Sequence, residues 1–181
     1  LQSALNVVAA VDRKAFDLAV VGIDKDGAWR QLPSDDFVRH RDDPTRIALA
    51  PGGRPVTLCC REGRGWMVPL DGGPAWPVDV AFPVLHGPFG EDGVTQGALD
   101  TAGIPYAGSD VLASAVCMDK LTLKRLCGFH GIPQVGFVQA FTPDWEAEAL
   151  KLDFPLWVKP SRLGSSVGIN KVTDPSALAA A

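Results

Sequence analysis

The chain is 181 residues long, 46% hydrophobic and 21% charged, with a formal net charge of −4. That is ordinary globular composition, long enough for one large domain or two small ones, and it offers no electrostatic footprint for nucleic acid or an anionic membrane. No apolar run approaches a membrane span, nothing resembles a signal peptide, and Cys59, Cys60, Cys117 and Cys127 lack C-x-x-C or zinc spacing, so free structural thiols in a reducing cytoplasm are expected.

Residues 1–11 carry apolar side chains at helical spacing, with Ser3 or a residue upstream as cap. Residues 16–23 predict a strand, Asp24 to Gly27 a turn, and Trp29 a short strand, while the charged run 35–46 reads as surface. Residues 56–60 and 66–70 flank a glycine-containing loop and predict a hairpin. A proline- and glycine-rich loop over 71–77 then leads to an apolar run, 78–85, which reads as a buried strand.

That run ends in L-H-G-P-F-G-E-D-G-V-T-Q-G, residues 85–97. Gly87, Gly90 and Gly93 let the backbone turn sharply and approach a ligand, and Asp92 is placed to cap a helix running to Ala102-Gly103. His86 stands at the carboxyl end of the strand, where open α/β sheets bind ligands. A glycine-rich turn with a histidine can also be plain structure, and the glycine pattern alone is weak.

Residues 104–108 predict a short strand, and Ser109 or Asp110 caps a helix to Val116. Asp119 caps another over 120–130, with Leu121, Leu123, Leu126 and Phe129 as its apolar face and Gly131 and Pro133 as its stop. Residues 134–141 read as a strand, Thr142-Pro143-Asp144 as a helix start, 154–158 and 167–172 as paired strands, and Asp174-Pro175 as a last helix start. Strands alternating with helices predict a parallel sheet covered on both faces over residues 1–117; the hairpin spacing of 118–181 predicts a different, α+β architecture.

The loop between the last two strands, V-K-P-S-R-L-G-S-S-V-G, supplies Lys159 and a run of hydroxyls and backbone N–H groups at Gly164, Ser165, Ser166 and Gly168. This is equipment for holding phosphate, although it lacks the Walker order and matches many ordinary hairpin loops.

Together, H-G-P-F-G-E-D-G at 86–93 with Gln96-Gly97, then I-P-Y-A-G, S-A-V-C-M-D-K ending at Lys120, G-I-P and V-K-P, resemble the ordered motifs of the D-alanine–D-alanine ligases of the ATP-grasp class. Thr95 departs from the apolar residue usual there, and residues 1–75 match only loosely. The resemblance implies a Rossmann-like (pre-ATP-grasp) domain followed by the first lobe of an ATP-grasp domain. It implies catalytic roles for His86, with Glu91 as its orienting partner, and for Ser165, and phosphate contacts from Lys120, Lys159 and the 164–168 loop, including Ser166. ATP and magnesium (or manganese) are the implied cofactors, with D-alanine as substrate and peptidoglycan precursor as product, in a cytoplasmic homodimer. No metal ligand is expected within residues 1–181. The resemblance places a substrate-binding loop upstream and the adenine contact, lid and metal carboxylates downstream, so the chain alone is expected to be inactive. A D-alanine–D-lactate ligase, or a non-catalytic binding module of the same fold, would carry the same motifs.

Overall fold

A computed structural model describes residues 1–180. It opens with α1 (Gln2–Ala10), which has no side-chain cap, so neither Ser3 nor the residue before the helix supplies one. Its Ala4, Leu5 and Val8 pack against a core of Leu32, Phe37 and Val38. Of the strand expected over 16–23, only β1 (Val20–Ile23) forms; Phe16 is exposed. The predicted turn follows, with Asp24 accepting the N–H groups of Asp26 and Ala28 at 3.0 and 2.9 Å, and β2 (Trp29–Leu32) returns antiparallel.

The charged run 35–46 is a correction. Phe37 and Val38 are each 2% exposed, the largest fully buried side chains in the molecule. Val38 and Arg39 form β3, paired antiparallel with β4 (Ala48–Leu49). Charge dominates the run's composition, yet burying two apolar side chains at about 1.5–3 kcal/mol each is enough to turn it inward.

The long hairpin forms as expected: β5 (Arg54–Arg61) and β6 (Arg64–Pro69) pair from Val56↔Pro69 to Arg61↔Arg64. Its turn is Glu62-Gly63 at φ +52° and +74°, the left-handed pair that a two-residue turn of matching twist requires. β7 (Trp76–Pro77) adds to β6, giving a five-stranded sheet of order β1-β2-β5-β6-β7.

Every ladder of this sheet is antiparallel, which overturns the Rossmann-like parallel sheet. The run 78–85 makes no strand; its one bridge is Ala81↔Tyr106, parallel, closed by Ala81 N–H to Pro105 O at 2.8 Å and Ala107 N–H to Ala81 O at 2.9 Å. Residues 104–108 likewise contribute only that bridge. Val80 and Phe82 are 53% and 65% exposed, and prolines at 77 and 83 each remove a ladder donor. α2 (Val94–Thr101) follows, and Leu99, Ala102 and Ile104 form a second core cluster with Leu58, Val78, Ala81 and Tyr106.

α3 (Val111–Met118) and α4 (Lys120–Phe129) are capped by Asp110 and Asp119, as the sequence predicts. The predicted apolar face of α4 is only half realised: Leu121 and Leu123 are partly buried, whereas Leu126 and Phe129 are 41% and 84% exposed. No strand forms over 134–141; that stretch is irregular, ends in a turn and is mostly exposed. α5 (Trp145–Ala149) starts after Asp144 with no side-chain cap bond, Thr142 instead accepting Trp145 N–H on its backbone oxygen at 3.2 Å. β8 (Leu156–Val158) and β9 (Asn170–Val172) make the predicted hairpin, Leu156↔Val172 to Val158↔Asn170. A 3₁₀ turn, Pro175–Ala180, ends the described chain, and Ala149, Val172 and Leu178 form the third core cluster.

Backbone contacts divide the chain into two units, residues 1–84 with 96–108 and residues 85–95 with 109–180. This division differs from a cut at 117/118: α3 and the glycine turn ahead of α2 both fall with the second unit.

Candidate active site

The turn carrying His86 closes on itself. Glu91 N–H donates to Gly87 O at 2.9 Å, and Gly87 N–H donates to Glu91 Oε2 at 2.6 Å. Glu91 Oε1 then lies 3.9 Å from His86 Nδ1, a charge-pair separation too long for a hydrogen bond. Both side chains are about half exposed or more, at 61% and 50%. Glu91 therefore braces the turn directly and faces His86 with its second oxygen.

Asp92 takes Phe89 N–H at 2.8 Å on one oxygen and Val94 N–H at 3.2 Å on the other, at the start of α2. Phe89 sits at φ +66° and is 71% exposed. Its carbonyl accepts the Thr95 hydroxyl at 2.6 Å. Thr95, the departure from the motif, is 6% exposed and uses its hydroxyl to lash the turn to the helix.

The second group of predicted residues lies in the same unit. Lys159 leaves β8 exposed, as the sequence suggests for a strand-end lysine. Ser165 and Ser166 both adopt left-handed backbone, φ +51° and +61°, and Gly168 follows at +68°. Left-handed backbone costs about 1–2 kcal/mol per ordinary residue, so this loop is held in a conformation that other contacts must impose. Val167 N–H bonds Gly164 O at 3.0 Å across it. Lys120 N–H donates to Ser161 O at 3.0 Å, and its ammonium donates to Leu163 O.

Sequence reading missed the anchor of this region. It treated Asp119 as a helix cap and Ser161 and Arg162 as spacers. Asp119 does cap α4, accepting Leu121 and Thr122 N–H at 3.1 and 3.0 Å, and it also accepts the Ser161 hydroxyl at 2.9 Å and Arg162 Nε at 2.8 Å. The Thr122 amide, then the Arg162 and Ser161 bonds, hold its carboxyl well below the usual carboxylate range. The partners stand 42 and 43 positions away, and no spacing in the sequence signals the pairing.

Among the described residues no three His, Cys, Asp or Glu side chains gather to hold a metal ion. All four cysteines are free, and no described helix is long and apolar enough to cross a membrane. A concavity of about 480 Å³ is lined by residues between Gln31 and Arg54 and contains none of the predicted site residues.

Residues 1–109 match the family described as D-ala D-ala ligase N-terminus, and residues 126–181 match D-ala D-ala ligase C-terminus. The chain belongs to the D-alanine–D-alanine ligase family. A curated family relative, the D-alanine–D-alanine ligase of Sodalis glossinidius, is 42% identical over 187 aligned residues, covering 100% of this chain and 51% of the relative. Among solved structures, the D-alanine–D-alanine ligase of Coxiella burnetii superposes with TM-score 0.79 at 28% identity, over 99% of this chain and 51% of that one. The VanG D-Ala:D-Ser ligase of Enterococcus faecalis superposes with TM-score 0.76 at 33% identity, over 99% and 52%. The chain thus spans about half the length of the family relatives it matches.

Proposed function

We propose that this chain serves an ATP-dependent ligase that joins two D-alanines into D-alanyl-D-alanine for peptidoglycan precursor synthesis, in a cytoplasmic homodimer. The observation that carries the reading is a grouping. The His86–Glu91 turn falls in the same compact unit as Lys120, Lys159 and the 164–168 loop, although much of the sequence on either side of that turn belongs to the other unit. A carboxylate-activating ligase needs its amino-acid and phosphate sites close together, and membership of one compact unit supports that reading. By motif the amino-acid-binding part is 1–117 and the start of the ATP-grasp part is 118–181, so the 85–95 turn belongs to the first by sequence and groups with the second by backbone contacts.

In this reading one D-alanine carboxylate oxygen attacks the γ-phosphorus of ATP, ADP leaves, and an acyl phosphate forms. The amine of the second D-alanine attacks that acyl carbon, the tetrahedral species collapses, phosphate departs, and the amine loses a proton. Charge develops on phosphoryl oxygens in the first step and on the former carbonyl oxygen in the second, so catalysis rests on positioned cations and N–H donors more than on a covalent nucleophile. Lys120 and Lys159 supply the cations, and Ser165, Ser166 and the backbone of Gly164 and Gly168 supply donors. His86, faced by Glu91, stands beside the amino-acid substrate, and Ser165 joins the bonds that close the site over it. Magnesium, when bound, would further neutralise the phosphates, with carboxylates other than the residues named here as its protein ligands.

Incubating the protein at full length with ATP, magnesium and D-alanine is expected to yield D-alanyl-D-alanine by mass spectrometry, and L-alanine to yield none. A depsipeptide outcompeting the dipeptide when D-lactate is added, or D-alanyl-D-serine when D-serine is added, would move the activity to a neighbouring specificity. No product from any of them, with ATP still bound, would contradict the ligase reading.

A further inference from the structure

We propose that Asp119 is a positioning residue for the phosphate loop, its carboxylate fixing residues 161–163 so that Lys120 and the 164–168 loop are presented together. The inference rests on the ligase reading above and adds to it a residue that touches neither substrate.

Asp119 and Lys120 are neighbours, and between them they make four bonds to three consecutive loop residues. Asp119 takes the Ser161 hydroxyl at 2.9 Å and Arg162 Nε at 2.8 Å. Lys120 gives its N–H to Ser161 O at 3.0 Å and its ammonium to Leu163 O. The helix start and the loop root are therefore one piece, and the Lys120 ammonium, which has three donors, keeps two beyond the one that Leu163 takes.

Two arguments separate this role from simple capping. First, a cap needs only an acceptor oxygen, and Asn caps as well as Asp. Leu121 N–H, Thr122 N–H and the Ser161 hydroxyl all go to Oδ1, while Oδ2 receives Arg162, so the second oxygen and the charge are used for the loop. Second, the Arg162 side chain is 81% exposed against 18% for Asp119. Ion pairs this open to water contribute little stability. What the pair does provide is a fixed direction for the chain as it leaves Pro160 toward Gly164.

Asp119→Asn keeps the cap but turns an N–H donor toward Arg162 Nε. In the protein at full length, the expected result is about a two- to fivefold loss of ATP affinity, the scale of one solvent-exposed ion pair. The KM for ATP rises in step, the KM for D-alanine is unchanged, and the melting temperature stays within a few degrees of wild type. Arg162→Gln is expected to reproduce the ATP effect, and the double variant to be no weaker than either single one, because both remove one interaction. ATP binding by Asp119→Asn and Arg162→Gln at wild-type affinity would overturn the proposal while leaving the ligase reading intact. An equal rise in both KM values would overturn it too, by showing a general loss of structure. Wild-type protein that fails to bind ATP at all would overturn the ligase reading, and the proposal with it.

Discussion

At Gly93 the backbone takes φ +94°, and a Cβ built there would stand 2.8 Å from the Val111 carbonyl oxygen. Both faults act together: the conformation is strained for any other residue, and the neighbour in the way is backbone rather than a side chain that can swing aside. Gly93→Ala is expected to lower stability by about 1–3 kcal/mol, read as a lower urea midpoint with unchanged slope; an unchanged midpoint would contradict this. Asp119 makes a prediction of the other kind. An unfolded aspartate titrates near pH 3.9, and the Thr122 amide with Arg162 and Ser161 depresses the folded value. The folded state then binds fewer protons, so the contribution is fully present above about pH 4 and is lost only as pH falls through the folded value. Protection of the Lys120 and Thr122 amides, corrected for intrinsic exchange, is expected to stay constant from about pH 8 to pH 5; its loss within that window would contradict the assignment.

Among elements, the best-read were those whose signals are local. Asp110 and Asp119 sit where a cap belongs and do cap α3 and α4, and the Glu62-Gly63 turn has the left-handed backbone its hairpin requires. Asp110 accepts Ala113 N–H at 2.7 Å, so Asp110→Ala is expected to cost about 0.5–2 kcal/mol while Asp110→Asn is nearly neutral. Thermal unfolding of the two variants checks it, and equal losses would contradict it. The strands read over 78–85 and 134–141 failed because apolar content reports a wish for burial and not a partner. The first of these has prolines at 77 and 83 and keeps one bridge. In the second, Lys124 and Arg125 of α4 bond the stretch instead, at Val135 O and Gln139 Oε1. Phe37 and Val38 erred the opposite way, their burial hidden by the charges on either side.

For the whole molecule, the alternation of strands with helices suggested parallel crossovers, but the central sheet is antiparallel from β1 to β7. Hairpin register is set by turn residues close in sequence, whereas the order of strands in a sheet depends on long-range packing that no local pattern encodes. Motifs fix residue types and spacings, so His86, Glu91, Lys120, Lys159 and the serine loop could be nominated as candidates from the sequence alone. The long-range bonds of Asp119 could not, since they arise only when the hairpin root meets the start of α4. The grouping of residues 85–95 with 109–180 is likewise a fact of folding that no local pattern signals.

The most direct test is phosphate release from ATP and magnesium by the protein at full length, with His86→Ala and Lys159→Ala beside it. The account predicts release that depends on D-alanine, is absent with L-alanine, and falls by at least about a hundredfold in each variant, the scale of removing one group that acts in the transition state. Release that ignores D-alanine, or that survives both substitutions, would show that the two motifs do not serve a single reaction.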